Sequence, residues 1–589
     1  MIKNNYIIVI LIIVLSLISY INVFDNEFVW DDHDFILDNA DIKSFSNIPS
    51  FFTEDVDGLY RPLRTVHYAV AYSVFRKNEF GYHLNSVFFH VLISVLVFFI
   101  IKKIVNKKGI ALVAALIFAV HPIHVERVAN MTAGFDLLGI FLFLLAFYFY
   151  ILFSKINDKK YFIVSILLFI LALFASEEAI TLPFLIILYE FTFNNEKLNK
   201  KNIKNSILKN YLIFFMIALS FIVLRFFILG ISGRIETYLG GSFYITMLTM
   251  TKAFVKYIVL LIFPFNLTLF QEVPIATGFF DLGVLLSIFI LTLILIFTIM
   301  NHKNKVIFFS VFWFFITLAT FSNIIPIQIF MAERYLYVPS IGFSILVSFI
   351  LFNIYNLTLK NFKNKIILKK ILIILFILLL SFYSIRTIIR NNDWQDNLTL
   401  WTKTIETNPF NSMAHDNLGF TYDHFGDEER AFFEFDKAVE LMPSNFRALS
   451  NLGVAYGQRK EYDKAILTLN KAIQINPLHY RTYDKLGLIY FELNQIGDSI
   501  GNFEKAIEIN PRYAKAYNDL ATVQGRIGQF DTALENLKTA IRLDRDYADA
   551  HYNLGVLYEF LNEKGLASKE FDIAISLESE NELYKRKIN

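Results

Sequence analysis

Residues 371–411 read ILIILFILLLSFYSIRTIIRNNDWQDNLTLWTKTIETNPFN, and the fold turns on this stretch. Its first half, Ile371 to Ile388, has the length and apolarity of a helix that crosses a bilayer. Its second half is mixed and charged and reaches Pro409, the first of a periodic series. Upstream, long Ile/Leu/Phe runs alternate with short polar loops. Downstream, from Asn391, no run is long enough to span. Two domains follow, one solvated by lipid and one by water. The averages agree: 55% hydrophobic, 17% aromatic and a mean hydropathy of +0.48 point to a membrane class. The chain has no cysteine, so disulfides, thiolate metal sites and cysteine nucleophiles are excluded, while the redox compartment stays undecided. A net charge of +2 argues neither for nor against nucleic acid, and no nucleic-acid partner is expected.

The soluble half repeats every 34 residues. Pro409, Pro443, Pro477 and Pro511 keep that step, with Arg545 next. So do Gly419, Gly453, Gly487, Ala521 and Gly555; Ala438, Ala472, Ala506, Ala540 and Ala574; and Tyr422, Tyr456 and Tyr490. This is the tetratricopeptide (TPR) pattern, with small residues where paired helices touch and proline where a repeat ends. The domains expected are 1–390 in the membrane, a connecting segment 391–410, about five repeats over 411–578, and a tail 579–589. Such a solenoid binds extended peptides or serves as an assembly scaffold; it suggests no catalysis.

Working back from Ile371, about eleven spans are expected: Tyr6–Phe24, His83–Ile101, Gly109–His121, Asp136–Phe153, Tyr161–Ala175, Ile180–Phe193, Tyr211–Leu229, Leu282–Met300, Val306–Phe321, Val338–Tyr355 and Ile371–Ile388. The first follows Lys3 with no small-residue cleavage site after it, and reads as an uncleaved anchor. One set of loops holds Lys102, Lys103, Lys107 and Lys108; Lys155, Lys159 and Lys160; Lys197, Lys200, Lys201, Lys204 and Lys209; Lys303 and Lys305; and Lys360, Lys363, Lys365, Lys369 and Lys370. Positive loops stay cytoplasmic. An even number of crossings must then separate Lys209 from Lys305, so Phe254–Phe265 reads as re-entrant or interfacial. The repeats are expected outside the cytoplasm.

The opposite loops carry a different chemistry: Asp31 and Asp32, His121, His124, Glu126 and Arg127, Glu177 and Glu178, Arg234, and Glu333 with Arg334. Ionisable groups beside spanning helices are costly and usually functional. Asp31-Asp32 suits an inverting sugar transfer, in which a carboxylate takes the proton of an attacking hydroxyl while a phosphate leaves. Arginine matches the oxygens of that phosphate. Taken alone, an Asp-Asp pair is more often a cap or a solvated loop. Other motifs stand beside it: Tyr60-Arg61-Pro62-Leu63, Gly81-Tyr-His83-Leu-Asn85 with His90, His121-Pro-Ile-His124-Val-Glu126-Arg127 followed by Asp136, Ser176-Glu177-Glu178, and Glu333-Arg334-Tyr-Leu-Tyr337. The two histidines and Glu126 have metal-ligand spacing, but Pro122 breaks their helix. The bland reading of Glu333-Arg334 is an ion pair at the membrane edge.

These motifs, in this order and with Asn392-Asp393-Trp394 ahead of the repeats, resemble the transmembrane and tetratricopeptide-repeat O-mannosyltransferases over nearly the whole chain. The resemblance implies an all-α chain, a polytopic GT-C-fold glycosyltransferase domain followed by the TPR α-solenoid. It implies a polyprenyl-phosphate sugar donor, typically mannose, and a protein Ser/Thr hydroxyl as acceptor, with Asp31 and Asp32 the catalytic pair and either one the base. Arg127 and Arg334 are expected at the donor phosphate. Arg61, His83, His121, His124, Glu126, Glu177 and Glu333 are further active-site candidates. The chain departs from the family pattern at Ser176, where a lysine is usual, and at Gly134 and Phe135, where an arginine often precedes Asp136. The Asp-Asp loop can act without an ion or hold a divalent one. The competing readings are a membrane-anchored TPR scaffold and a transporter of lipid-linked sugar, the latter expecting charges at the membrane midplane and inverted repeats.

Overall fold

The computed structural model describes residues 3–55, 58–194, 201–231, 237–361, 365–578, 581 and 584. The side chains of Lys197, Lys200, Lys201, Lys204, Lys209, Arg234, Lys360, Lys363 and Lys365 lie outside the described residues, as does all of the expected tail except Asn581 and Tyr584. Among the described residues the chain is all-helical, with no strand. It divides into one unit of 1–36 with 45–400 and a second of 37–44 with 401–589.

Every expected span coincides with a helix of the first unit. Seven described helices are long and apolar enough to cross a membrane: Glu79–Val105, Met131–Ile156, Asn210–Ile228, Phe243–Ile262, Leu282–Met300, Pro339–Leu357 and Ile366–Trp394. Lys108–Val120 and Pro122–Ala129 make an eighth if their 51° bend belongs to one span. Asn5–Ser19 and Lys305–Phe321 are apolar but shorter, and Lys159–Leu173 and Leu182–Phe193 have only 15 and 12 residues. Seven or eight helices therefore meet the length criterion where eleven were expected.

Phe254–Phe265 is a second difference. It belongs to a continuous 20-residue helix beginning at Phe243, capped by Ser242, whose hydroxyl accepts from Ile245 N at 3.2 Å. Lys252 and Lys256 hid this helix in the sequence. They stand four apart, on one face, and the extended segment after Pro264 answers both. Lys252 Nζ donates to Asp281 Oδ2 (2.8 Å) and Lys256 Nζ to the Glu272 carbonyl (2.6 Å). Counting this helix as a span makes three crossings between Lys209 and Lys305, so the lysine-rich loops before and after it do not share one side.

Close approach holds this unit together. Helix 339–361 crosses 305–318 at Gly342, where a Cβ would lie 2.5 Å from the Ser310 carbonyl and 3.1 Å from Phe314 N. Backbone cannot yield as a side chain can, so Gly342→Ala should cost about 1–3 kcal/mol, read as a lower unfolding temperature in detergent.

The second unit contains five helix pairs among the described residues: 412–424/428–441, 446–458/462–475, 480–492/496–509, 514–526/530–543 and 548–560/564–577. The periodic glycines explain the pairing. A Cβ at Gly419, Gly453, Gly487 or Gly555 would meet Phe435, Leu469, Phe503 or Phe571 at 2.6–2.8 Å. Each first helix thus leaves a notch that receives the large side chain 16 residues on. At the fourth pair the notch is Ala521, packed in one cluster with Leu537.

Candidate active site

The loop after the first helix is shaped by Trp30, whose φ of +52° places a bulky residue in the left-handed region. Such backbone is costly and persists only where its surroundings hold it. Asn397 does so, its Oδ1 accepting from Trp30 N at 2.9 Å. The turn sends Asp31 and Asp32 into different environments. Asp32 is fully buried. Its Oδ1 accepts from Thr132 N (2.7 Å) and the Thr132 hydroxyl (2.6 Å), and its Oδ2 from Val29 N (3.1 Å). Thr132 N lies in the first turn after Met131, where a helix has amide hydrogens to spare. Burial nevertheless outweighs these bonds and pushes the Asp32 carboxyl up to about 6. Asp31 remains partly accessible and lies within electrostatic reach of Arg334.

Around this loop runs a network of arginines and carboxylates. Asp136 Oδ1 accepts from Arg61 (2.8 Å) and Arg64 (3.1 Å), and its Oδ2 from Arg127 (2.7 Å). Arg61 Nε also binds Glu177 (2.6 Å), which receives Arg225 at 3.2 Å. Arg127 reaches Glu178 (2.6 Å) and the Arg334 carbonyl (3.1 Å). Four arginines thus meet three carboxylates, and burial pushes the Glu178 carboxyl up to about 7 against the pull of Arg127. The network is cationic.

Glu333 and Arg334 do not pair with each other. Arg334 binds Glu126 through its guanidinium and through its backbone N (2.9 Å), and its guanidinium lies over Trp30, 5.7 Å from the ring centroid. Glu333 is fully buried between Gln271 Nε2 (3.2 Å) and Arg390 (3.5 Å), and burial pushes it up to about 7. Two adjacent residues on one short turn therefore hold different partners.

The expected phosphate ligands separate on accessibility. Arg334 keeps 17% of its side chain exposed and Arg61 19%, but Arg127 keeps 3% and faces Asp136 and Glu178. Arg127 is thus held between two carboxylates. The histidines His83, His121 and His124 are fully buried. His83 Nε2 donates to the Asn26 carbonyl (3.0 Å) and His121 Nε2 to the Leu261 carbonyl (3.0 Å). His124 Nε2 meets Ser340 Oγ (2.8 Å), whose own hydrogen goes to the Tyr337 carbonyl. Each ring spends a nitrogen on a partner far away in the sequence.

Among the described residues no three His, Asp or Glu side chains are grouped so as to hold a metal ion. At Asp32 both oxygens already accept hydrogen bonds, so its donor set does not fit a cation.

Sequence reasoning left out Arg64, Thr132 and Arg225. Arg64 had a signal, lying three residues after Arg61 on the helix 62–75, and Arg225 another, as a charge in an apolar run. Thr132 had none. The two departures are filled by packing. A Cβ on Gly134 would meet Ser86 Oγ at 1.9 Å, leaving no room for an arginine there, and Ser176 packs on Gly139.

Comparison with known proteins finds likenesses in both units. The family profile described as dolichyl-phosphate-mannose-protein mannosyltransferase matches residues 62–224, and tetratricopeptide profiles match 446–478, 487–561 and 548–581. Protein O-mannosyl-transferase F38B6.6 of Caenorhabditis elegans is 27% identical over 435 residues, 69% of this chain and 59% of that protein. Protein O-mannosyl-transferase TMTC3 of Mus musculus is 25% identical over 69% of this chain and 48% of its own length. TMTC4 of Homo sapiens is also 25% identical, over 69% and 62%. The chain spans about half to three-fifths of the length of these curated relatives.

Proposed function

We propose, from the premise that this chain is a homologue of the protein O-mannosyl-transferases in both its membrane and its repeat halves, that it is an inverting glycosyltransferase. It moves a sugar, mannose by the relatives' names, from a polyprenyl-phosphate donor to a Ser/Thr hydroxyl of a polypeptide. The observation that carries this reading is the partly accessible Asp31 beside the fully buried Asp32, facing Arg334.

In the proposed step Asp31 accepts the proton of the acceptor hydroxyl as its oxygen bonds to the anomeric carbon. The bond from that carbon to the phosphate oxygen breaks on the opposite face, inverting the configuration. The leaving polyprenyl phosphate keeps the electron pair as a stable anion and needs no acid. Arg334 and Arg61, the accessible arginines, stabilise it. Asp32 is the positioning residue, since its hydrogen bonds hold the loop on Thr132.

The deciding experiment is transfer from radiolabelled polyprenyl-phosphate mannose to protein in membranes containing the chain. Label on protein supports the reading. Absence of label with mannose and with other lipid-phosphate sugars overturns it.

Acid should switch transfer off. Asp32 is anionic only above about pH 6, and a proton on it would face groups that already donate. Transfer should fall below that pH, and residual transfer by Asp32→Asn should lose that limb of the profile. Stability runs the other way. A carboxyl raised above its ordinary range adds stability at low pH, and that contribution is lost as pH rises through about 6.

Excess EDTA should leave transfer unchanged. A loss reversed by manganese or magnesium would instead put a divalent ion beside Asp31 and Asp32.

The lysines of the last two lysine-rich loops, Lys303 and Lys305 and then Lys360 to Lys370 ahead of the final span, support a cytoplasmic assignment for those loops and an extracytoplasmic one for the repeats. The absence of cysteine makes this easy to test. In sealed cells, Lys471→Cys should react with an impermeant maleimide and Lys303→Cys should not; the reverse pattern would invert the topology.

A further inference from the structure

The repeat unit is discontinuous in sequence. Besides 401–589 it contains Leu37–Ser44, a piece of the loop that carries Asp31 and Asp32. Asn39 opens a short turn there, its Oδ1 accepting from Asp41 N at 3.1 Å, and Ile42 is buried. Lys43 keeps 8% of its side chain accessible and donates to both oxygens of Asp544, at 2.8 and 3.1 Å. Asp544 Oδ1 also accepts from Asp546 N (3.0 Å), which fixes the carboxylate on its own loop. Two residues before Lys43, Asp41 Oδ1 lies 3.4 Å from Arg512.

These partners occupy related places. Arg512 lies in the loop before the fourth helix pair, and Asp544 in the loop directly after it. The segment therefore runs across two successive inter-repeat loops, with an acidic residue on a basic one and a basic residue on an acidic one. A misplaced segment would leave Lys43 and Asp544 partly desolvated and unpaired, so the pairing selects one register.

We infer that Leu37–Ser44 is a positioning strap, which ties the fourth repeat to the catalytic loop so that a polypeptide held by the repeats is delivered to Asp31. The inference rests on the function proposed above. Leu37 is the sixth residue after Asp31, so even a fully extended chain keeps the start of the strap within about 22 Å of Asp31. An acceptor bound beside the strap is then supplied at a local concentration set by a short tether rather than by bulk diffusion. Asp41, Lys43, Arg512 and Asp544 touch no reacting atom. Their effect should appear in how the acceptor is captured and not in the chemical step.

The test compares two acceptors with the full chain in lipid discs: a long unstructured polypeptide, and a short Ser/Thr peptide too small to bridge repeats and catalytic loop. Lys43→Glu should raise KM for the long acceptor by about tenfold or more, with kcat and the short-peptide KM as in the parent chain. Asp544→Lys should do the same, and the two together, with the charges exchanged, should restore the parent KM. Equal effects on both acceptors, no effect on either, or failure of the exchange to restore KM would overturn the strap. A second measurement needs no activity. Lys43→Cys with Asp544→Cys, in a chain that has no other cysteine, should be bridged by a short bis-maleimide; no bridging would also overturn it. If the parent chain transfers to neither acceptor, the proposed function fails, while the bridge still reports on the strap.

Discussion

Asp31→Asn is expected to lower kcat for transfer by roughly 10²–10⁴-fold, with little change in KM for the lipid donor. Asparagine keeps the shape of the side chain and removes its capacity to take a proton. Asp31 is the candidate because it is the accessible member of the pair, whereas Asp32 has hydrogen bonds at both oxygens and no surface. Asp32→Asn should also lose activity, for a different reason. An amide can offer an oxygen to Thr132 only by turning its NH2 toward Val29 N, so two donors face each other. That variant should show a lowered unfolding temperature, which Asp31→Asn should not. Full activity in Asp31→Asn, measured as initial rates of labelled-mannose transfer, would remove Asp31 as the base.

The largest effect on stability should come from Asp136→Asn. Three guanidinium groups share this carboxylate, and Arg64 and Arg127 are each 3% exposed. Removing the negative charge takes the carboxylate from Arg64 and leaves Arg127 only Glu178, and Arg61 only Glu177, which Arg225 shares. Breaking a buried pair in this way costs about 3–5 kcal/mol. The variant should be recovered poorly from membranes and unfold at a much lower temperature in detergent. Removing Arg64 as well should return part of the loss, because one fewer charge is then unpaired. An unchanged unfolding temperature in Asp136→Asn would mean that solvent reaches the network.

Much of this architecture could be read from the residues, and the failures have physical causes. The 34-residue step located the repeats because each small residue answers one large partner, as Gly487 answers Phe503. The spans were legible wherever apolar residues ran unbroken. Helix 243–262 was not, because Lys252 and Lys256 interrupt the run, and their partners Asp281 and the Glu272 carbonyl are supplied by a segment with no pattern of its own. At the site, Asp31, Asp32, Glu126 and Arg334 stood out as charges beside apolar helices. Their pairing did not. Glu126 lies 208 residues from Arg334, and sequence proximity suggested Glu333 instead. Arg127 looked like a ligand because its burial depends on where Asp136 and Glu178 come to rest.

The discontinuous repeat unit has a consequence in time. Its first eight residues leave the ribosome early, and the rest follow only after roughly 360 more, which at ordinary synthesis rates is a wait of about 20–70 s. Through that interval Ile42 and the Lys43 ammonium have no repeats to dock on. The last repeats, once made, must find a segment already tethered beside the membrane. Maturation of this chain therefore ends with a closing event that depends on its oldest loop having stayed unoccupied, and a chaperone or lipid surface that sequestered that loop would delay the step.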